Sequence, residues 1–296
     1  MKLIKKINKH FITISCLLGL SNIAFAETSL WKITKGDDYI YLGGTIHILP
    51  ETELPLPKEF QHAYQTTDIL VLETQLPLPE DKKAQTAMIM AMRYPVGQQL
   101  SDFLSKKTYL ALSQYLRTLS LNIQTFNQFK PGFAITMMAI MAAKKANISG
   151  VGVDAYFTLQ AKKEKKTLLY LEDFSAQIAM IANLGKGNEE AFIKANLLQM
   201  KTFQHTMVQL IAAWRRGDIT ALANLVTIPM MKEDIKTFHN MIVKRNNNWL
   251  PKIEALFNND SKELVLVGVA HLLGQEGVTE QLRNKGYQIK KLNIKK

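Results

Sequence analysis

Cysteine is almost absent from this sequence of 296 residues: the only one, Cys16, lies in a leader segment that we expect to be removed. The mature chain would then have no thiol, which excludes cysteine hydrolases, thiol redox enzymes and zinc sites built on cysteine. The sequence also lacks the His-Glu-x-x-His, Gly-x-Ser-x-Gly, Walker and Gly-x-Gly-x-x-Gly motifs. It therefore gives no support to a zincin, a serine hydrolase or a nucleotide-binding enzyme.

Long apolar runs are lacking as well. The stretch from Phe11 to Leu20 is about ten residues long, against the ~20 that a membrane-spanning helix requires. It follows four lysines and precedes Ala24-Phe25-Ala26, which is the pattern of a secretory signal peptide. We predict that residues 1–26 are a signal peptide cleaved near Ala26. The protein would be exported, to the periplasm or outside the cell, without a transmembrane helix in the mature chain.

The basic residues are not arranged in a pattern typical of nucleic-acid-binding proteins. Cleavage removes four lysines and no acid, so the formal net charge falls from +12 to +8. The remaining lysines form scattered clusters without interleaved aromatic residues, so no nucleic-acid partner is expected. We interpret most of them as solvated helix faces, and the alternative is peripheral contact with an anionic surface such as a membrane or cell-wall polymer.

The order of predicted elements indicates an α/β fold, with α+β as the alternative, around a central mixed sheet. Two largely helical stretches, at about 79–147 and 188–258, interrupt the strands. Because no linker rich in Gly, Ser or Pro is present, we predict one domain over 27–296 with a helical insertion. Strands are predicted at Ser29 to Thr34, Tyr39 to Gly43, Ile69 to Leu72, Val151 to Val153, Thr167 to Leu171, Leu264 to Val267 and Gln288 to Leu292.

Two predicted strands run into the same short motif. Tyr39 to Gly43 leads into Gly-Thr-Ile-His, ending at His47, and Leu264 to Val267 leads into Gly-Val-Ala-His, ending at His271. A glycine suits a sharp turn off a strand end, and each histidine would then face the crevice where α/β sheets bind ligands. The alternative is two unrelated buried or capping histidines.

Acidic residues follow other predicted strands in the same way. Glu73, Asp154 and Glu172 each close an apolar run, and parallel strands would bring them to the histidines. Imidazole and carboxylate groups together suit a divalent metal site with an open position, or a general base with its orienting partner. Asp154 is equally well interpreted as a helix N-cap, and Arg245 as a surface residue, unless it binds an anionic substrate or transition state.

A set of short segments, in order along the chain, resembles the TraB/PrgY/GumN family, which is related in proposed fold to the Tiki proteases and more distantly to erythromycin esterase and ChaN-like proteins. No single segment is specific, but the set is. The segments are Tyr41 to His47, Asp68 to Glu73, Gly152 to Asp154 with Leu171-Glu172, Trp214 with Gly217-Asp218, Arg245-Asn246 with Trp249, and Val267 to Leu272 with Gly274 and Gly277.

This resemblance implies an α/β core of two related halves, each contributing one Gly-x-x-His motif, with the active site between them. In Tiki-like members the activity is that of a metal-dependent peptidase using Mn or Co. The family pattern falls on His47, Glu73 and His271, with Asp154 and Arg245 in supporting positions. PrgY-type members are associated with reduced peptide pheromone activity, and esterase-like relatives hydrolyse their substrates without an established metal.

Our first hypothesis is therefore an exported hydrolase, namely a metal-dependent peptidase acting on a peptide or small molecule. His47 and His271 would bind a divalent metal, with Mn or Co favoured over Zn. Glu73 would be either a third ligand or the general base, and Arg245 would stabilise developing negative charge. The alternatives are a metal-independent, esterase-like hydrolase and a non-catalytic protein that sequesters a peptide or, as ChaN-type relatives suggest, a haem-like ligand.

Overall fold

The computed structural model describes residues 28–75, 77 and 80–294, so the predicted signal peptide lies outside the described residues. Within them six strands form one mixed sheet in the order β4-β3-β5-β2-β1-β6. The strands are β1 (Leu30–Lys35), β2 (Asp38–Thr45), β3 (Ile69–Leu72), β4 (Thr167–Tyr170), β5 (Glu263–Gly268) and β6 (Gln288–Lys291). The fold is thus mixed α/β, as predicted.

The strand directions define the functional edge of the sheet. Strands β4, β3, β5 and β2 pair in parallel, while β1 is antiparallel to both β2 and β6. The carboxyl ends of the four parallel strands consequently meet at one edge, which is where open α/β sheets bind ligands. Every residue of β5 is buried, as expected of a central parallel strand covered on both faces.

Helices fill the connections between the strands. The segment between β3 and β4 contributes α2 to α6, and the segment between β4 and β5 contributes α7 to α13. Their bounds are α1 (Lys58–Gln65), α2 (Lys82–Met92), α3 (Lys106–Thr118), α4 (Ile123–Phe126), α5 (Pro131–Lys145), α6 (Val153–Glu164), α7 (Phe174–Ala182), α8 (Glu189–Gln199), α9 (Phe203–Arg215), α10 (Ile219–Leu225), α11 (Thr227–Glu233), α12 (Ile235–Phe238), α13 (Lys244–Ala255) and α14 (Val278–Asn284). Within the described ranges, no helix is both long enough and apolar enough to cross a membrane.

The two faces of the sheet pack into separate hydrophobic cores. Leu264 and Leu266 of β5 belong to a core shared with α1, α6 and α9, whereas Val265 and Val267 belong to one shared with α13 and α14. This division follows from the alternation of side chains along a strand. Helices α3, α5 and α8 bury a further core of their own, so the insertion has apolar packing apart from the sheet.

The predicted strand from Val151 to Val153 is wrong. Val153 is instead the first residue of α6, and Gly152 is its N-cap. Val153 is buried, whereas Val151 is exposed. The turn packs against the loop after β2, because the N–H of Val153 donates to the carbonyl of Ile46 at 3.1 Å. A Cβ on Gly152 would lie 2.4 Å from the carbonyl oxygen of His47. Only glycine allows this close approach.

Candidate active site

The functional edge of the sheet brings together the predicted site residues. His47 follows β2, His271 follows β5, Glu73 follows β3 and Glu172 follows β4. Because these four strands are parallel neighbours, the segments that leave them lie side by side. Asp154 arrives in the first turn of α6 and Arg245 in the first turn of α13.

Gly268 marks the point where three of these side chains meet. A Cβ atom on this glycine would lie 3.3 Å from Oε1 of Glu73, 3.3 Å from Nε2 of His47 and 3.7 Å from Cδ2 of His271. The two Gly-x-x-His motifs are offset by one position in the sheet, since Gly268 pairs with Thr45 and not with Gly44. The side chains of His47 and His271 therefore meet without occupying equivalent backbone positions. The two related halves expected from the family resemblance stay a prediction.

His47 and Asp154 form a dyad at the mouth of this site. Nδ1 of His47 lies 3.1 Å from Oδ1 of Asp154, and the His47 side chain is 59% exposed. Partial loss of hydration would lower the pKa of His47, but the carboxylates of Asp154 and Glu73 outweigh it and raise the pKa to about 9. Asp154 is thus a partner of the imidazole, and the N-cap interpretation is wrong because Gly152 holds that position.

Glu73 is buried and held through both of its oxygens. Oε1 accepts from the N–H of Gly268 at 2.6 Å, and Oε2 accepts from Nη2 of Arg245 at 2.5 Å and from Nε2 of Gln177 at 3.2 Å. Burial alone would raise its pKa, but the side chains of His271, Arg245 and His47 lower it to about 2. The carboxylate is therefore ionised across the physiological range of pH.

Arg245 is the central cation of the buried part of the site. Its Nη2 and Nε bind Glu172 at 2.7 and 3.1 Å, and Nη1 donates to Nε2 of His271 at 2.9 Å and to the carbonyl of Met241 at 3.4 Å. Together with the bond to Glu73, every N–H of the guanidinium has an acceptor. Burial would lower its pKa, but Glu73 and Glu172 raise the pKa above its ordinary value.

His271 is buried as a neutral imidazole with a defined tautomer. The amide nitrogen of Asn246 donates to the carbonyls of His271 and Glu276, which fixes the amide orientation, so Oδ1 of Asn246 accepts from Nδ1 of His271 at 2.6 Å. Nε2 is left as the acceptor of the Arg245 bond. Burial, supported by the positive charge of Arg245, lowers the pKa of His271 to about 3.

The segment before α13 explains how Arg245 reaches the site. Residues 239–243 form a π-helix that leads directly into α13, and π-helical segments often occur at functional sites. The Arg245 guanidinium stacks over Trp249, at 4.5 Å from the ring centre, and Nε1 of Trp249 donates to Glu172 at 3.1 Å. The surface interpretation of Arg245 is wrong, since only 9% of the residue is exposed.

Sequence reasoning missed several partners. Glu172 was recognised as an acid at a strand end, but its pairing with Arg245 was not predicted, and Asn246 and Gln177 were given no role. Arg245 and Asn246 are adjacent in the sequence and form no motif with a recognisable spacing, so the pair does not by itself indicate a site. Only their helical spacing from Trp249 and Leu250, which lie on the buried face of this amphipathic helix, could have suggested that these polar residues are buried.

The three predicted metal ligands converge but do not fit a metal ion in this arrangement. Nε2 of His271 accepts from the cationic Arg245 at 2.9 Å. Over residues 28–75, 77 and 80–294, no group of three or more His, Cys, Asp or Glu side chains is placed to hold a metal. A histidine nitrogen needs a free lone pair to bind a metal. At Nε2 of His271 this lone pair accepts the hydrogen bond from the guanidinium of Arg245.

Comparison with known proteins connects this geometry with a family. A model of the TraB/PrgY/gumN family matches residues 29–291. The chain is 24% identical to Metalloprotease TIKI1 of Danio rerio, covering 88% of this chain and 62% of that protein. It is 24% identical to Metalloprotease TIKI2 of Xenopus tropicalis, covering 88% and 59%. With Uncharacterized protein YbaP of Escherichia coli (strain K12) the identity is 23%, covering 88% and 100%. No solved structure matches.

The buried neutral state of His271 predicts a specific acid sensitivity. Its pKa is about 3 when folded, against an ordinary value near 6.5 in the unfolded chain. The unfolded state therefore takes up a proton first, and the stability from this residue, complete above about pH 6.5, is lost as the pH falls towards 3. Between about pH 6.5 and 4.5, we expect the free energy of unfolding to fall by roughly 1 kcal/mol per pH unit from this group alone.

Urea denaturation at several pH values measures this effect in the parent and in His271→Gln. The variant should be less stable at neutral pH but should lose stability less steeply below about pH 6.5, while the two curves run parallel above about pH 7. Identical slopes in the acid range would contradict the neutral, buried assignment of His271.

Proposed function

We propose that this chain, which belongs to the TraB/PrgY/gumN family, is a hydrolase that cleaves peptide bonds with His47 and Glu73 as its acid and base. One observation carries the proposal: Nε2 of His47 and Oε1 of Glu73 both lie beside Gly268, each 3.3 Å from the position of its missing Cβ. Two relatives named metalloproteases support a peptide as the substrate class.

The protonation states of the two groups suit opposite tasks. The pKa of Glu73 is about 2 and that of His47 about 9, so at neutral pH the carboxylate is ionised while the imidazole is protonated. Environments that push two neighbouring pKa values apart often define an acid and base pair. Glu73 would accept a proton from the attacking water, and His47 would donate a proton from Nε2 to the leaving nitrogen.

The other residues would position this pair. Asp154 holds the Nδ1 side of His47 and stabilises its positive charge. Arg245 keeps Glu73 ionised and oriented, but all of its N–H groups are engaged within the protein. We therefore assign Arg245 as a positioning residue, in place of the direct contact with developing negative charge expected from the sequence.

His47→Ala should lower kcat/KM by about 10²- to 10⁴-fold, because it removes the proton donor, while leaving substrate affinity nearly unchanged. His205→Ala is the matched control, since His205 is exposed on α9 and outside the site. Cleavage of a mixed peptide library, followed by mass spectrometry, measures the effect. Since His47 acts in its protonated form, activity should also be lost as the pH rises through about 9.

Gly268→Ala supplies a second variant that tests the site without removing a catalytic group. Gly268 has φ −51° and ψ 134°, which an alanine adopts without strain, so folding should be retained while the added methyl crowds His47 and Glu73. Full activity in both His47→Ala and Gly268→Ala would overturn the proposed roles. Peptide binding with no turnover in the parent would favour the sequestering protein instead.

A second candidate is the metal-dependent peptidase predicted from the sequence, favoured by the names of the TIKI relatives. It would require Arg245 to release His271. Under our first proposal, the mature protein incubated with Mn, Co or Zn should retain no stoichiometric metal, and chelators should not reduce its turnover. Elemental analysis of residues 27–296, beside His47→Ala and His271→Ala, measures this. Near-stoichiometric metal in the parent, lost in both variants, would replace the first proposal by the second.

We further propose that the hydrolase is exported after cleavage near Ala26. The support is the charged, apolar and small-residue order of residues 1–26. Expressed in a bacterium with its full leader, the protein should appear outside the cytoplasm with Glu27 as its first residue, as read by intact-mass analysis of cell fractions. A chain that retains Met1 and stays in the cytoplasm would contradict export.

A further inference from the structure

A cavity of about 540 Å³ opens beside the candidate active site, between α7, the loop at 183–188 and residues 234–248. Its size suits a small ligand or a few residues of a peptide. Glu172, Gln177 and Arg245 line it, and the same three side chains belong to the hydrogen-bond network around Glu73. A substrate in this cavity would therefore lie directly against the network that orients the proposed base.

More basic than acidic side chains line the cavity. Lys186, Lys236 and Lys244 line it, and all three are exposed. None of them forms an ion pair with any residue in the described parts of the chain. Two acids also line the cavity: Glu172 pairs with Arg245, and Asp234 accepts from the N–H and hydroxyl of Thr237. The lining thus holds four basic side chains against two acidic ones.

The positive charge of Lys186 also affects a neighbouring lysine, Lys130. The pKa of Lys130 is lowered, first by burial and then by the positive charge of Lys186. A pair of repelling lysines is more costly than a pair screened by a carboxylate. No anion among the described residues compensates Lys186, so an anionic ligand in the cavity would be attracted to it.

The polar lining is also suited to a peptide. The side chains of Asn240 and Asn248 line the cavity, are exposed and have no hydrogen-bond partner among the described residues. An amide side chain offers a donor and an acceptor together, which matches the N–H and C=O of a peptide backbone. Met180 and Leu184 add an apolar wall. The cavity thus combines lysines, amides and apolar surface, which is the combination that a peptide with a carboxylate would contact.

We propose that this cavity is a subsite that binds a carboxylate of the peptide substrate, an inference that rests on the proposed peptidase function. The carboxylate belongs either to an acidic side chain or to the C-terminus of the peptide. Lys186, Lys236 and Lys244 attract and hold it, and the asparagines align the adjoining backbone. The preferred substrates are acidic peptides or peptides cut close to a free C-terminus.

Isothermal titration of the mature His47→Ala variant, which should not cleave its ligand, tests the subsite directly. Three hexapeptide probes separate the two sources of carboxylate: alternating Ala-Glu with both ends blocked, alternating Ala-Gln with both ends blocked, and alternating Ala-Gln with a free C-terminus. The blocked glutamate peptide or the free C-terminal peptide should bind at least about tenfold more tightly than the blocked glutamine peptide, since several exposed charge contacts add up.

Two triple variants that remove the same number of charges distinguish binding at the subsite from a general effect of net charge. Replacing Lys186, Lys236 and Lys244 together by glutamine should lower that affinity about tenfold. The control replaces Lys106, Lys107 and Lys162, which are exposed on α3 and α6 and do not line the cavity, and it should change affinity less than about twofold.

Equal binding of all three probes, absence of binding by all three, or equal losses in the two triple variants would each overturn the subsite. Failure of the hydrolase proposal is a different result, because it is measured as absence of peptide cleavage by the parent. A cleaving enzyme without carboxylate preference therefore refutes only the subsite. A protein that binds the carboxylate probes but cleaves nothing refutes only the enzyme.

Discussion

The buried guanidinium of Arg245 is the interaction on which the rest of the site depends. It joins Glu73 after β3, Glu172 after β4 and His271 after β5, so one side chain from α13 ties three strand ends together. A buried carboxylate without a partner would be strongly destabilising. Arg245 therefore pairs with two acidic side chains inside the protein, and its positive charge adds to burial in keeping the imidazole of His271 neutral. The ionised state of Glu73 and the neutral state of His271 both depend in part on this one cation.

The fold supplies this arrangement by making short parallel strands meet a distant helix. The strands have only four to eight residues each, and the site residues follow within three residues of each strand end. Arg245 lies far along the chain from Glu73, in the last helix of the long helical insertion. The π-helical turn before α13 sets the direction from which Arg245, Asn246 and Trp249 enter. The insertion is thus part of the construction of the site, because its last helix brings in the cation.

Short sequence patterns predict much of the fold and of the candidate site. Contacts between residues far apart in the chain cannot be predicted from such patterns. The strand at Ile69–Leu72 was predicted at its observed bounds because a short apolar run ending in an acid has few alternatives. The two Gly-x-x-His motifs located His47 and His271 for a similar reason. The false strand at Val151 to Val153 arose because two valines around a glycine resemble a short strand, although only Val153 is buried, at the start of α6. Arg245 seemed to be a surface residue, since its partners Glu73 and Glu172 are separated from it by 172 and 73 residues. Charge pairing over such distances leaves no periodic signal.

The degree of burial explains why the charges of the candidate site are paired, whereas the lysines of the neighbouring cavity are not. In the interior, Arg245 is matched by Glu73 and Glu172, since unpaired charge there is costly. At the mouth, His47 is matched by Asp154, so a charged imidazole can face the substrate without a net attraction for anions. The lysines of the neighbouring cavity are exposed, and an exposed cation loses little by having no partner. They can therefore keep their full positive charge for a ligand. The proposed subsite and the proposed acid and base thus lie in adjoining regions, and a change in one need not alter the protonation states of the other.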